Sequence, residues 1–326
     1  MMGFAFPFRD RRGTRASVAV VAVLAVAGPA AAATRIEKVL KLAPGGTFSL
    51  KTEGGSIELR GGGSEARVVL TSPKDDVAQR YDLRFEEHAG GVTVSGERKD
   101  SSWLGMWKSG DNLRWEVTVP TDCEVRLDTS GGSIEVADVR GPVQADTSGG
   151  SITARAVQAD IHADTSGGSI RVEDIGGNAR LDTSGGSIEA DRVRGGVDAD
   201  TSGGHIRVSA VDGEVRADTS GGSIEISDAG AEVQASTSGG SVRVAFRPGN
   251  AKGGTLETSG GGIEVRIDPS VGLDLDASCS GGKVRTDLPV GVVGTIAENG
   301  LRGKVNGGGA TLRLRSSAGG IRILPL

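Results

Sequence analysis

The sequence predicts an all-β fold, a single-chain parallel β-solenoid (β-helix) of 18-residue coils with two strands each, preceded by an N-terminal β cap. Three observations carry this. Thr-Ser-Gly-Gly recurs at Thr129, Thr147, Thr165, Thr183, Thr201, Thr219 and Thr237, always 18 residues apart. Within each repeat, apolar and polar residues alternate at period two. The chain of 326 residues carries 54 glycines and only 3% aromatics, so its core must be thin. Charged residues make up 24%, and Val, Ile and Ala are plentiful and periodic, which argues against disorder.

The repeat justifies the strands. Counting each Thr as position 1, position 6 reads Ile134, Ile152, Ile170, Ile188, Ile206, Ile224 and Val242. Position 8 is Val136, Ala154 or a similar residue, position 15 is Val143 or Ile161, and position 17 is Ala or Leu, as in Ala145 and Leu181. Apolar residues two apart on two short segments mean two strands per repeat, each burying one face. The turns are expected at Gly131-Gly132 and at Gly141, with their equivalents. Glycine there would supply the positive φ that tight turns use. A hairpin meander would set unlike residues side by side, whereas a solenoid stacks like on like. The second explains why each position keeps its chemistry. Right-handed coiling is the default for parallel crossovers. About ten coils at roughly 4.8 Å each give a rod of roughly 50 Å.

Position 7 reads Arg171, Glu189, Arg207, Glu225, Arg243, Glu264 and Arg285, with strictly alternating sign. On stacked strands this is a ladder of opposite charges. Each exposed pair stabilises by only a few tenths of a kcal/mol. Its larger effect is on register, because a slip of one whole coil would oppose like charges.

The ends depart from this phase. Residues 34–120 hold alternating runs, Tyr81, Leu83 and Phe85, then Val92 and Val94, then Leu113, Trp115, Val117 and Val119. They are expected to cap the solenoid, since an open end leaves unpaired strand edges. Residues 121–326 form the repeat domain. Within it, 286–312 is irregular and is expected to bulge before Ser316 to Leu326 adds a last strand.

Residues 1–33 read as a secretory signal peptide. Arg9, Arg11, Arg12 and Arg15 form a basic start, Ala16 to Ala27 is apolar but short for a membrane span, and Ala30 to Ala33 offers small residues for cleavage. No second long apolar run follows, so a mature chain without an integral membrane segment is expected, in the periplasm or at the cell surface and beyond. Removing the leader deletes four arginines and one aspartate and takes the net charge from −5 to −8. That balance speaks against nucleic acid as a partner.

The TSGGSIEV-like units, the strand ending Val117-Thr118-Val119-Pro120 and the closing stretch GKVNGGGATLRLRSSAGGIRI resemble the bacterial putative-adhesin family of β-strand-repeat proteins of unknown function. The likeness covers about residues 45–326. It implies an exported β-helix that is adhesin-like, and it implies no catalytic residues.

The residues themselves point to no catalytic, cofactor or metal centre. His88, His162 and His205 lie on different coils without metal-ligand spacing. The glycines lack the Gly-Lys-Ser/Thr of a phosphate loop. Position 1 threonines have inward parity, unlike the flat Thr-x-Thr face of ice-binding solenoids. Two features are candidates for contact. Asp128, Asp146, Asp164, Asp182, Asp200 and Asp218 form one vertical row, which either accepts backbone N–H bonds in the Thr-Ser-Gly turns or holds a weak row of cations. Trp103, Leu104, Met106 and Trp107 form one apolar loop, which packs over the solenoid end or meets a partner. Cys123 and Cys279 fall on distant coils and are expected to be free thiols. The expected function is a non-enzymatic envelope protein, adhesin-like or structural, monomeric and without a cofactor, that meets an envelope or extracellular protein or glycan. The alternative is a glycan-binding or glycan-acting β-helix, which would show clustered Asp, Arg and aromatic residues on one sheet.

Overall fold

The computed structural model describes residues 34–99, 112–292 and 297–326. The expected leader, 1–33, and the loop of Trp103, Leu104, Met106 and Trp107 lie outside the described residues.

Two long sheets face each other, one of fourteen strands and one of fifteen. Pairing through the array is parallel and offset by 18 residues. Ile134 lies beside Ile152, and Ile152 beside Ile170; Val143 lies beside Ile161 on the other sheet. The chain is therefore a β-solenoid. Twelve coils stack in parallel, rather than about ten. Burial follows the expected positions 6, 8, 15 and 17, all closed to solvent. Burying one Val or Ile side chain stabilises by roughly 1.5–3 kcal/mol, so a two-residue-wide core suffices when it repeats in every coil. Among the described residues no helix is long and apolar enough to cross a membrane.

A further buried row, at position 11, breaks the period-two pattern: Val139, Val157, Ile175, Val193, Val211 and Ala229. The residue before each is in the left-handed region, as at Asp138 (φ 61°), Ala156 (φ 53°) and Arg192 (φ 55°). That conformation turns the strand and restores the next side chain to the inside. Positive φ, expected at the turn glycines, falls on these strand residues instead. Gly131, Gly132 and Gly141 do not have positive φ. Gly132 and Gly141 are glycine because the coils stack too closely there for a side chain, whereas a Cβ on Gly131 would meet nothing within 4 Å. A Cβ on Gly150 would lie 2.0 Å from the Gly132 carbonyl oxygen, and one on Gly141 would lie 2.1 Å from that of Cys123.

Both ends are threaded out of sequence order. The coil made by Thr47–Thr52 and Ser56–Gly61 lies between the coil of Glu124–Thr129 and Ile134–Val139 and the coil of Gly91–Arg98 and Arg114–Val119. The far end mirrors this. Ala310–Ser316 and Ile321–Pro325 slot between the coil of Gly254–Thr258 and Ile263–Ile267 and the coil of Leu273–Cys279 and Val284–Thr286. The closing residues are thus not the last strand that the sequence suggested. Antiparallel strands then cover the outermost coils: Ala66–Ser72 and Thr34–Leu40 on one sheet, and Tyr81–His88 on the other. At the far end Gly300–Val305 does the same.

One insertion widens the array. Between Thr237 and Thr258 the chain bulges through Asn250, which is buried. Its Nδ2 donates to the carbonyl oxygens of Ala229 (2.7 Å) and Ala231 (2.9 Å), and its Oδ1 accepts the Lys252 N–H (2.9 Å). The side chain so replaces backbone pairing that the bulge removes.

Candidate functional site

A trench of about 670 Å³ lies on the outer face of the fifteen-stranded sheet. It runs along the solenoid axis from Glu124 to Arg216, across successive coils. One wall is position 14, where Asp160, Asn178 and Gly196 stack. Asp160 Oδ1 accepts the Asn178 N–H at 2.7 Å, and Asn178 Oδ1 accepts the Gly196 N–H at 2.8 Å. Each side chain thereby satisfies the backbone of the next coil, and the amide ladder holds the wall rigid. Sequence inspection missed this wall because its members lie 18 residues apart and share no residue type.

The opposite wall is position 16, with Gln144, His162, Arg180, Asp198 and Arg216. It leans on the aspartate row. Gln144 Nε2 donates to Asp146 (2.9 Å), Arg180 pairs with Asp182 (3.2 Å), and Arg216 pairs with Asp218 (3.1 Å). Lys51 approaches Asp128 at 3.3 Å. His162 Nδ1 stands 4.0 Å from Asp182.

The six aspartates do form one in-register row, with Asp128 beside Asp146, Asp146 beside Asp164, and so on to Asp218. Their expected turn chemistry is corrected. Among the described residues no backbone N–H donates to these carboxylates; from the Thr147 turn to the Thr237 turn the acceptor is the inward threonine. Gly150 N–H donates to Thr147 Oγ1 (3.3 Å), which itself donates to the Gly132 carbonyl oxygen (2.9 Å). Stacking like charges has a cost. Burial, then the neighbouring Asp218 and Asp182, hold the Asp200 carboxyl above the usual carboxylate range. Burial also raises that of Asp146, against the Gln144 hydrogen bond. Among the described residues no group of three His, Cys, Asp or Glu is gathered to hold a metal ion.

The other histidines are separate. His88 contacts Thr93 Oγ1 at 3.2 Å in the cap. His205 takes a serine's place on the other sheet, where its Nδ1 accepts the Ser223 N–H at 2.9 Å.

The charge ladder stands over most of its length. Arg171 pairs with Glu189 at 2.8 Å and Arg207 with Glu225 at 3.3 Å. Past Glu264 it departs from the sequence reading. The threaded terminal coil places Arg322, not Arg285, beside Glu264, and Arg285 lies beside Arg322.

A family model described as Toastrack DUF4097 matches residues 47–267. No curated protein matches the chain. Among solved structures, the chain is similar to a "putative cell adhesion protein" from Clostridium sporogenes, with 11% identity and a TM-score of 0.25 over 90% of this chain and 100% of that one. It is also similar to a "putative adhesin" from Bacteroides fragilis, with 10% identity and a TM-score of 0.35 over 90% of this chain and 97% of that one.

Proposed function

The chain belongs to the Toastrack DUF4097 family, and from that premise we propose that it is an exported, non-enzymatic, adhesin-like β-solenoid of the bacterial cell envelope. In this reading it is a rigid rod that meets a protein or glycan through the face of one sheet. The observation that carries the reading is the trench along the fifteen-stranded sheet. Its walls are side-chain ladders fixed by coil-to-coil hydrogen bonds and ion pairs. A surface already rigid loses little conformational entropy when a partner binds. The polar walls and short turns suit contact over an extended face. The apolar start of the sequence supports export.

The test has two arms. Cells carrying the full chain are fractionated with and without surface protease, and the chain is expected outside the cytoplasm. Recovery of the intact chain from the cytoplasm would sink the export reading. In the second arm, Gln144→Trp obstructs the trench, and attachment of protein-coated beads to cells is expected to fall with an unchanged melting temperature. Equal attachment by both proteins would remove the trench from the contact surface.

A further inference from the structure

On the fourteen-stranded sheet, near the far end, lies a second hollow of about 360 Å³ lined by Arg243, Glu264, Lys283, Arg285 and Arg322. It exists because the terminal coil is threaded between two earlier ones. Arg243 lies beside Glu264, Glu264 beside Arg322, and Arg322 beside Arg285. The alternation of charge fails here and leaves two arginines adjacent at strand spacing.

The carboxylates around the hollow pair with cations other than Arg243, Arg285 and Arg322, and one of them, Glu298, neutralises the lining Lys283. Glu264 pairs with Arg266 at 3.2 Å, Glu225 with Arg207 at 3.3 Å, and Glu298 with Lys283 at 3.2 Å. Among the described residues no carboxylate pairs with Arg243, Arg285 or Arg322, and all three are exposed. This is a local positive field on a chain whose net charge is −5.

The backbone changes at the same place. From the coil of Ser151 to that of Ser241, the position 5 side chain accepts the N–H of position 5 in the next coil. Ser151 does so for Ser169 (3.3 Å), Ser169 for Ser187 (3.2 Å) and Ser223 for Ser241 (3.2 Å). In the coils that border the hollow, position 5 is Gly262 and then Gly320, which carry no side chain. The N–H groups of Gly320 and Lys283 therefore have no acceptor among the described residues. Where the serine row stops, donors and space appear together, beside unpaired guanidinium groups.

We propose that this hollow binds the anionic groups of an acidic glycan, a polysaccharide bearing carboxylates or sulfates. Guanidinium forks and free N–H groups match the oxygens of such anions. The arginines span three strand steps, roughly 14 Å, which suits a short run of sugars rather than the longer basic track a nucleic acid needs. The glycine floor admits a chain laid along the rod axis. This site lies on the sheet opposite the trench and does not depend on the trench's role.

Titration of the full purified chain with tetragalacturonate tests the proposal. Its fully methyl-esterified form, inorganic sulfate and a single-stranded DNA oligomer serve as comparisons. Tetragalacturonate is expected to bind at least tenfold more tightly than each of these, with affinity that falls as salt rises. Arg285→Gln with Arg322→Gln should weaken it at least tenfold. Gly320→Ser, which restores the serine acceptor without changing charge, should weaken it severalfold. Arg126→Gln, on the other sheet, should leave it unchanged. Melting curves that match the parent show that the variants fold. Equal binding of the esterified form, sulfate as tight as the oligomer, tighter binding of DNA, or full affinity in the double variant would each overturn the assignment.

Discussion

Thr201 Oγ1 donates to the carbonyl oxygen of Gly186 in the preceding coil at 2.9 Å, while it accepts the N–H of Gly204 at 3.3 Å. One buried hydroxyl thus closes its own turn and fastens it to the coil before. Thr201→Val keeps the shape and removes both bonds, leaving buried polar groups unpaired. The expected loss is about 1–3 kcal/mol, read as a lowered denaturation midpoint. Thr201→Ser should lose much less, because Ser316 fills the same role toward the Gly261 carbonyl at 2.9 Å. Equal losses for Val and Ser would refute the bridging role.

The two glycines of one turn should differ. A Cβ on Gly168 would lie 1.9 Å from the Gly150 carbonyl oxygen, whereas one on Gly167 would meet nothing closer than 3.7 Å. Gly168→Ala should therefore destabilise by about 3 kcal/mol, and Gly167→Ala should be close to neutral. The comparison is made by thermal melting of the two single variants.

At the left-handed corner the sign reverses. Ala156 has φ 53°, a conformation that costs a residue with a Cβ roughly 1–2 kcal/mol. Ala156→Gly removes that strain but adds unfolded-state entropy, for a net gain of about 0.5 kcal/mol. A drop in melting temperature would count against strain at this corner.

The aspartate row gives a pH dependence. The Asp146 and Asp200 carboxyls sit above the usual carboxylate range in the folded chain, with burial the leading cause. An acid whose folded pKa is raised binds more protons folded than unfolded within that window. Their destabilising contribution is therefore absent below the ordinary carboxylate range and complete above the raised folded values. Mild acidification through this window should raise the contribution of these two sites to stability. Asp200→Asn should raise the melting temperature at neutral pH and lose that advantage in acid. Chelator should leave the melting temperature of the parent unchanged; a shift of many degrees would favour bound cations along the row.

Cys123 and Cys279 are both buried and free. Nine strand steps separate their coils, roughly 43 Å, so no disulfide can join them. Burial pushes the Cys123 thiol up to about 11, which leaves little thiolate at neutral pH. A thiol reagent at neutral pH should react slowly with the native chain. After denaturation without reductant it should find two thiols per chain. An intramolecular cross-link between the two peptides would contradict the fold.

The repeat was legible because every coil has the same neighbours, so each position repeats its chemistry: Ile134 over Ile152, Thr147 over Thr165. The threading of the ends was not. Thr52-Glu53-Gly54-Gly55 and Ser316-Ser317-Ala318-Gly319 look like any other turn, and a pattern that matches in every register cannot say which slot a coil fills. The position 11 row was hidden by a backbone flip at residues as unlike as Asp138, Ala156 and Arg192. The trench and the basic hollow arise between coils, so their parts are scattered along the sequence and gathered only by stacking.

The threading at both ends bears on how the rod answers tension. In an ordinary stack the outermost coil is held by one neighbour, so a pull peels coils off one at a time from the tip. Here the coils nearest the two termini in sequence, 47–61 and 310–325, are each gripped on both sides, although the edge strand Thr34–Leu40 is held by Ala66–Ser72 alone. Once Thr34–Leu40 had peeled away on the N-terminal side, a load would have to shear two ladders together before a coil could leave. The rod is built like a cord whose loose ends are tucked under their own last turns, and it should extend abruptly rather than ravel.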